Sequence, residues 1–422
     1  MNIDNKQILK DLSEFLAIKS LQGSKEKNAP FGKAMRQTLD WFIDKAKSYR
    51  LNAYEHNGYY GVAEVGSGND MIGIACHIDT VGATGDGWIA PPFSLTQKDG
   101  YLYGRGVVDN KGPAIVCLHI LKALKDNKVD LKKRVRLIVG CNEESGSLCL
   151  KEYAKREEIP NLTIVPDADF PVINSEKGIL HIKLELPIDK DFGNKISKLS
   201  FGSEFLNMIP DTASCVLDKK PLKFMGIAGH AMAPEKADNA AHKLFEKLSS
   251  VSQTAKIIYN LFCNDNSKKI LELDYKCDKS GNLTMSLNKG ELVKDKLILC
   301  FDFRLPLNCS DKTVIDKIKD KVPNSKITTL AYKKNHYIDP NNCLVKSLLK
   351  IYSDITGEKN TKPLQIGGGT YARELPNAIA FGATFPDTVT DIHNTNEKIS
   401  MDNFNKWQDI YYKVAIELAT KD

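Results

Sequence analysis

Three short apolar runs, each broken off by acidic or imidazole side chains, constrain this chain more than any other feature. Met71–Cys76 stops at His77-Ile78-Asp79, Arg134–Cys141 runs into Glu143-Glu144, and Leu162–Val165 ends at Pro166-Asp167. Such runs are too short for a buried helix of ordinary length. From Leu137 in the second and nearly throughout the other two they are apolar without alternation, so they read as strands covered on both faces. Pro113–Lys125, mostly apolar and long enough for a helix, lies between the first two. Strand and helix in alternation specify an α/β sheet with helices on both faces. Ligands of such sheets gather beyond the carboxyl ends of the strands. The polar residues that end the three runs are therefore the first candidates for chemistry.

The rest of the chain sorts into two textures. Ile8, Leu9, Leu12, Phe15 and Leu16 have helical spacing, as do Met35, Leu39, Phe42 and Ala46. Leu51–Tyr54 and Gly61–Val65 flank the turn-rich Glu55–Tyr60 and predict a hairpin. After Gly178 the pattern changes. Leu180–Leu186 alternates; Lys223–Ile227, Thr284–Leu287, Leu297–Arg304 and Lys326–Tyr332 read as strands, and Ala237–Val251 and Ser310–Lys321 as helices. From about Tyr337 the first texture returns, with a helix over Cys343–Tyr352, a strand at Ala378–Gly382 and a closing helix at Asn403–Thr420. The expected organisation is a discontinuous main domain of residues 1–179 and 337–422, interrupted by a smaller α+β domain of residues 180–336. The main domain should hold a mixed, mostly parallel sheet.

Composition narrows the partners. Lys and Arg exceed Asp and Glu by 59 − 53 = 6 over 422 residues. The excess is spread singly over polar helix faces, with no basic stripe interleaved with aromatics, which argues against a nucleic-acid partner. No apolar run approaches the roughly eighteen residues of a membrane span, and Met1–Asn5 opens polar without a signal-peptide pattern. Several cysteines sit inside apolar segments (Cys76, Cys117, Cys141, Cys300), and no C-x-x-C pair occurs. Buried free thiols are the expectation. A soluble, cytoplasmic protein without a membrane partner follows.

Two further groups join the strand-end residues: Asp109, within Gly104-Arg105-Gly106-Val107-Val108-Asp109-Asn110-Lys111-Gly112, and His393 far downstream. Two histidines and three or four carboxylates suit a pair of Zn²⁺ or similar divalent ions sharing one carboxylate. Singly, each fragment is ordinary, because a histidine after a strand is more often a hydrogen-bonded structural residue. Glu143-Glu144 is the exception. Two ionised carboxylates directly behind an apolar strand repel each other, and a cation relieves that repulsion, with one glutamate as ligand and the other as base.

The combination resembles a di-zinc peptidase of the aminoacylase/carboxypeptidase-like superfamily, specifically its bacterial PepV-type (Xaa-His / β-Ala-Xaa) dipeptidase branch. The resemblance runs from about Leu12 to the C-terminal helix. It is carried by His77-Ile78-Asp79-Thr80-Val81, Asp86-Gly87-Trp88 with Pro92-Phe93, Tyr103-Gly104-Arg105-Gly106 with Asp109 and Lys111-Gly112, and Glu143-Glu144-Ser145-Gly146. It continues through Pro166-Asp167-Ala168-Asp169-Phe170-Pro171, Glu176-Lys177-Gly178, Asn207-Met208-Ile209-Pro210, Gly229-His230-Ala231, Gly367–Arg373 and His393.

The resemblance implies a catalytic main domain and a lid-like insert. It makes His77 and Asp167 ligands of one metal and Glu144 and His393 ligands of the other, with Asp109 bridging. Zn²⁺ is the first expectation for both ions, with Mn²⁺ or Co²⁺ suiting the same donors. Asp79 resembles the carboxylate that orients His77, and Glu143 matches the general base. Asp169 rivals Asp167 in composition, but the Pro-Asp-Ala position fits the motif. His230 resembles a lid histidine that donates to the oxyanion of the attacked carbonyl, and Asn207 a lid residue that meets the substrate. Arg304 matches a lid arginine that can grip a substrate carboxylate, with a solvated surface role as its alternative. Gly368, Gly369 and Thr370 would offer N–H groups and a hydroxyl to the same carboxylate. Arg373 is either substrate-facing or structural. Asn110, often Asp in relatives, is not a ligand in the pattern. The implied activity is hydrolysis of unblocked dipeptides by a monomer or weak homodimer whose lid serves its own chain. The alternative is an N-acyl amino acid amidohydrolase using the same metals. The insert is short for this branch, which bears on how strictly substrates are limited to dipeptides. His119, mid-helix, reads as a packed helix residue.

Overall fold

The three apolar runs are strands: Met71–His77, Arg134–Gly140 and Leu162–Val165, buried throughout or beyond their first residue. Met71–His77 lies between the other two and parallel to both, and Ala378–Ala380 adds a fourth parallel strand beside Leu162–Val165. All four therefore point their carboxyl ends at one edge. The predicted hairpin, Asn52–His56 with Tyr60–Val65, closes the other side antiparallel to Arg134–Gly140. The result is a mixed sheet with a parallel centre. The computed structural model describes residues 4–83 and 87–421; Asp86 of the Asp86-Gly87-Trp88 motif lies outside them.

Helices cover both faces. Tyr60 and Gly61 point to opposite sides of their strand. The Tyr60 ring meets Tyr153 of helix Leu148–Arg156 at 5.2 Å, whereas a Cβ at Gly61 would run into Leu39 and Ile43 of helix Lys33–Ser48. Lys111–Asp126 is buried almost all round, as a crossover helix packed on a sheet must be. Among the described residues no helix is long and apolar enough to cross a membrane.

The chain divides into two units. One comprises Met1–Asn174, Ile338–Leu364 and Thr370–Asp422; the other comprises Ser175–Tyr337 and Gln365–Gly369. Residues 365–369, allotted to the main domain by the sequence reading, thus group with the insert. The reason is local bonding inside the second unit: Lys177 N donates to Ile366 O, Gln365 Nε2 to Asp278 O and Arg304 Nη1 to Gly367 O.

The second unit is built on a seven-stranded antiparallel sheet in the order Lys220–Met225, Thr212–Leu217, Ile196–Phe201, Thr284–Val293, Lys296–Leu305, Gly178–Pro187, Lys326–Lys333. Gly178–Pro187 alternates buried and half-buried residues, so Leu180, Ile182, Leu184 and Leu186 face one way. They share a core with Leu244, Phe245 and Leu248 of helix Ala240–Leu248 and with Val314 and Ile318 of helix Asp311–Lys321. Ser310 caps that last helix by accepting from Thr313 N. Strand Ile196–Phe201 was invisible in sequence because lysine and serine interrupt it, and only half its residues are buried.

Candidate metal centre

His77 is the last residue of its strand and is 1% exposed. Its Nδ1 lies 2.9 Å from the Asp79 backbone carbonyl. A proton held there turns Nε2 into the lone-pair side of the ring. Nε2 faces Asp109 Oδ1 at 2.7 Å and Asp167 Oδ1 at 3.6 Å. The other Asp109 oxygen lies 2.9 Å from His393 Nε2, which is itself 3.1 Å from Glu144 Oε1. Asp109 thus stands between two imidazoles. Two groups result, His77–Asp109–Asp167 and Asp109–Glu144–His393, each with its ligand atoms within 4.8 Å of one another. The mixture of imidazole and carboxylate suits Zn²⁺, Mn²⁺ or Co²⁺.

Crowded carboxylates explain the electrostatics. Burial pushes the Asp167 carboxyl up to about 7, and burial with the neighbouring Asp109 charge raises Glu144. Hydrogen bonds to Asp109 and Glu144 lift the His393 imidazole to about 11. Burial opposes charging of His77, yet Asp167, Asp109 and Asp79 around it hold its pKa well above the usual value. Without a metal, the cluster satisfies its excess negative charge with protons. A divalent cation meets the same need and releases those protons. The donor set therefore fits such ions.

Surrounding contacts differ in part from the expectation. The Asp79 carboxylate is 3.4 Å from His77 Nδ1, a longer contact than that from its own carbonyl. It accepts instead from Glu143 N at 3.0 Å and Glu144 N at 3.1 Å. Two aligned N–H donors in the turn after Arg134–Gly140 outcompete one imidazole, so the Asp79 side chain holds the glutamate pair. Asn110, passed over in sequence, is wholly buried. Its Oδ1 accepts from His77 N at 3.3 Å, and its Nδ2 donates to Pro166 O and to Asp167 Oδ1 at 3.2 Å. Tyr371 lies against Gly140 so closely that a Cβ there would come within 2.1 Å of its hydroxyl. Only glycine allows that approach, and the Tyr371 ring packs edge-on to His77 at 6.1 Å. Lys111 is buried and donates from Nζ to Phe15 O and Ile18 O, pinning the end of helix Asn5–Ala17.

Glu397 was also missed, and Arg105, though part of a quoted motif, was given no role. Glu397 is wholly buried, and its side-chain bonds reach residues as far as 292 positions upstream. No local spacing signals a contact of that range. Glu143 is half-buried and its charge is felt by Asp167. His119 is buried in its helix, as expected, and bonds Asp11 Oδ2 at 2.8 Å.

Within the second unit, strands Met208–Ile209 and Gly229–His230 pair antiparallel. That pairing brings Asn207 Nδ2 to 3.4 Å from His230 Nε2. His230 Nδ1 accepts from Met232 N at 3.1 Å, so a neutral ring carries its proton on Nε2; the Asn207 amide can accept that proton only through its oxygen, after a half-turn of the amide. Arg304 is 3% exposed, which removes the solvated alternative. It grips Asp302 with Nε and Nη2 at 2.7 and 2.8 Å and donates Nη1 to Gly367 O at 2.9 Å. A guanidinium has five donors, so two remain. Gly367 is tight for another reason: a Cβ there would meet Met232 Cβ at 2.9 Å. In the first unit, Thr370 Oγ1 accepts from Ala372 N at 3.1 Å, and Arg373 is half-buried on the short helix Tyr371–Glu374.

Residues 73–417 match Peptidase family M20/M25/M40. "Putative dipeptidase YtjP" of Bacillus subtilis (strain 168) is 32% identical, covering 98% of this chain and 97% of its own length. A protein of Staphylococcus epidermidis carrying the name "Putative dipeptidase" is also 32% identical, over 99% and 98%. Among solved structures, the M20 family metallo-carboxypeptidase Sso-CP2 from Sulfolobus solfataricus covers 98% of this chain and 99% of its own, with a TM-score of 0.63 at 17% identity. The last is a likeness of fold.

Proposed function

This chain belongs to peptidase family M20/M25/M40 and is a hydrolase, and from that premise we propose that it is a metal-dependent dipeptidase acting on unblocked dipeptides. One observation carries the reading: Asp109 offers one oxygen to each of two imidazole–carboxylate groups, beside a second glutamate that neither group uses. The names of the relatives, aligned over nearly the whole chain, support the dipeptide class.

His77 and Asp167 would hold one divalent ion, Glu144 and His393 the other, with Asp109 shared between them. Bound ions of this kind act as Lewis acids that polarise a carbonyl and make water more acidic. The remaining steps belong to this chain's own side chains. Glu143 takes the proton of the attacking water on its carboxylate and delivers it to the leaving amine. Asp79 keeps Glu143 and Glu144 aimed by holding their N–H groups. His230 donates from Nε2 to the oxyanion that forms on the attacked carbonyl. Asn207 meets the substrate, and Arg304, through its two spare donors, the Gly368 and Gly369 N–H groups and the Thr370 hydroxyl receive its carboxylate. The catalytic domain is the discontinuous unit and the insert is its lid, whose closure brings His230 to the carbonyl. We take the working form to be a monomer or weak homodimer, in which each lid serves its own chain.

The test is a panel of dipeptides, including β-Ala–His, each with its N-acetylated counterpart, assayed with Zn²⁺, Mn²⁺ or Co²⁺. Hydrolysis of the free dipeptides, lost on chelation and on acetylation of the amine, is the expected result. Activity confined to the acylated compounds would instead identify an N-acyl amino acid amidohydrolase.

A further inference from the structure

Glu397 is wholly buried, a costly place for a carboxylate unless every lone pair finds a donor. Its Oε1 accepts from Val108 N at 2.9 Å and Asp109 N at 3.0 Å. Its Oε2 accepts from Gly106 N at 3.0 Å and from Arg105 Nη1 at 2.7 Å. One side chain thus grips the backbone of the whole loop that ends in Asp109. Arg105, 3% exposed, reaches back in the other direction, donating Nη2 to Asn394 O at 2.9 Å, beside His393. The Glu397 carbonyl accepts from Gly104 N, and strand Lys398–Ser400 then pairs with Tyr101–Tyr103. Along this segment Asp391, His393 and Asn396 have φ of 52°, 64° and 66°. Asp, His and Asn are the non-glycine residues that enter that left-handed region most readily, so the segment turns without glycine.

We propose that Glu397, together with Arg105, is a positioning residue of the metal centre that fixes His393 against Asp109 and so sets the affinity of the ion held by Asp109, Glu144 and His393. The proposal rests on the two-ion reading above. The other group is tied differently: His77 by Asp79 O and Asn110 Oδ1, Asp167 by Asn110 Nδ2. Loosening the clasp therefore acts on one ion more than on the other.

The test is a Zn²⁺ titration against a competing chromogenic chelator, run on the parent, Glu397→Gln and Arg105→Lys. Gln keeps the oxygen facing Val108 and Asp109 but turns an NH₂ towards the Gly106 N–H and the guanidinium. Lys keeps the charge yet lacks the fork that reaches Glu397 and Asn394 together, and it is the gentler variant should Glu397→Gln fold poorly. One of two ions is expected to bind about 10–100-fold more weakly, and the other, which shares Asp109, to weaken by a smaller factor. Activity should fall at stoichiometric Zn²⁺ and return in excess, with KM unchanged. Unaltered binding of both ions, or equal weakening of both, would overturn the proposal. A parent that binds fewer than two ions would overturn the two-ion reading and the clasp with it, and it shows before any substitution is made.

Discussion

The two units of this protein differ in how much charge they bury beside a hydrocarbon core. The first buries charge: His77, Asp79, Arg105, Lys111 and Glu397 are each under 5% exposed, as are Asp11 and His119. The second buries hydrocarbon, from Leu180 to Val322, and among its described residues the buried charges are Asp302, Arg304 and Glu176. Strand direction accounts for the contrast. Four parallel strands bring four carboxyl ends to one edge, so residues distant in sequence converge there. An antiparallel sheet alternates its ends, gathers no such edge and instead offers one apolar face to its helices. The first unit can therefore assemble a multi-ligand site, and the second can carry single donors on a rigid frame.

The sharpest way to break this division is Glu143→Gln. It removes proton transfer and leaves ligand geometry intact, so turnover should fall about 10²–10⁴-fold or more while metal content stays at the parent's level. A rate within a factor of roughly three would remove Glu143 from the chemistry. In the second unit the corresponding injury is to packing. Phe301 is wholly buried, with Phe262 4.6 Å away. Phe301→Ala should cost about 3–5 kcal/mol in denaturant unfolding, with metal binding by the folded fraction retained. A loss below about 1 kcal/mol would mean that this face is not the unit's core.

His230→Ala probes the single donor. Removing an oxyanion donor typically costs about 10²–10³-fold in turnover. Mixing His230→Ala with Glu143→Gln protein should restore nothing if each lid serves its own chain; recovered activity would show sites completed across subunits. The smallest effect is one of pH. His242, on helix Ala240–Leu248, has a buried Nε2 without a partner among the described residues, and burial depresses its pKa from 6.5 to about 4. The unfolded chain binds the extra proton between those values, so stability rises with pH and is lost as pH falls from 6.5 towards 4. Between pH 7 and pH 5 the parent should lose about 2 kcal/mol more than His242→Gln. Equal losses in the two proteins would place His242 in water. Asp11 in the first unit acts in the same direction at lower pH. Burial alone would raise its carboxyl, but bonds from His119, Tyr49, Lys45 and Gln7 hold it well below 3.8. Its contribution is complete above that value and fades only as pH falls further.

Much of this was legible in the residues. Leu162–Val165 has its predicted limits, and helix Lys111–Asp126 extends the predicted one by two residues or fewer at each end. Binary patterning and caps are local signals that neighbours cannot hide. The ligand candidates His77, Asp109, Glu144, Asp167 and His393 were identifiable because each either ends a strand or sits in a motif. Strands Ile196–Phe201 and Thr212–Leu217 were not legible, since half-burial blurs their alternation.

The sequence by itself determined which residues could be ligands and that parallel strands would carry them to one edge, because strand period and run length are properties of adjacent residues. Only the tertiary structure decided what aims them. The Asp79 carboxylate holds the glutamate pair more closely than the His77 ring, Asn110 links His77 to Asp167, and Glu397 clasps the Asp109 loop. Those choices follow from competition among buried donors for a few acceptors. The competitors are brought together by folding, from positions up to 292 residues apart in the chain, so no window of sequence contains them.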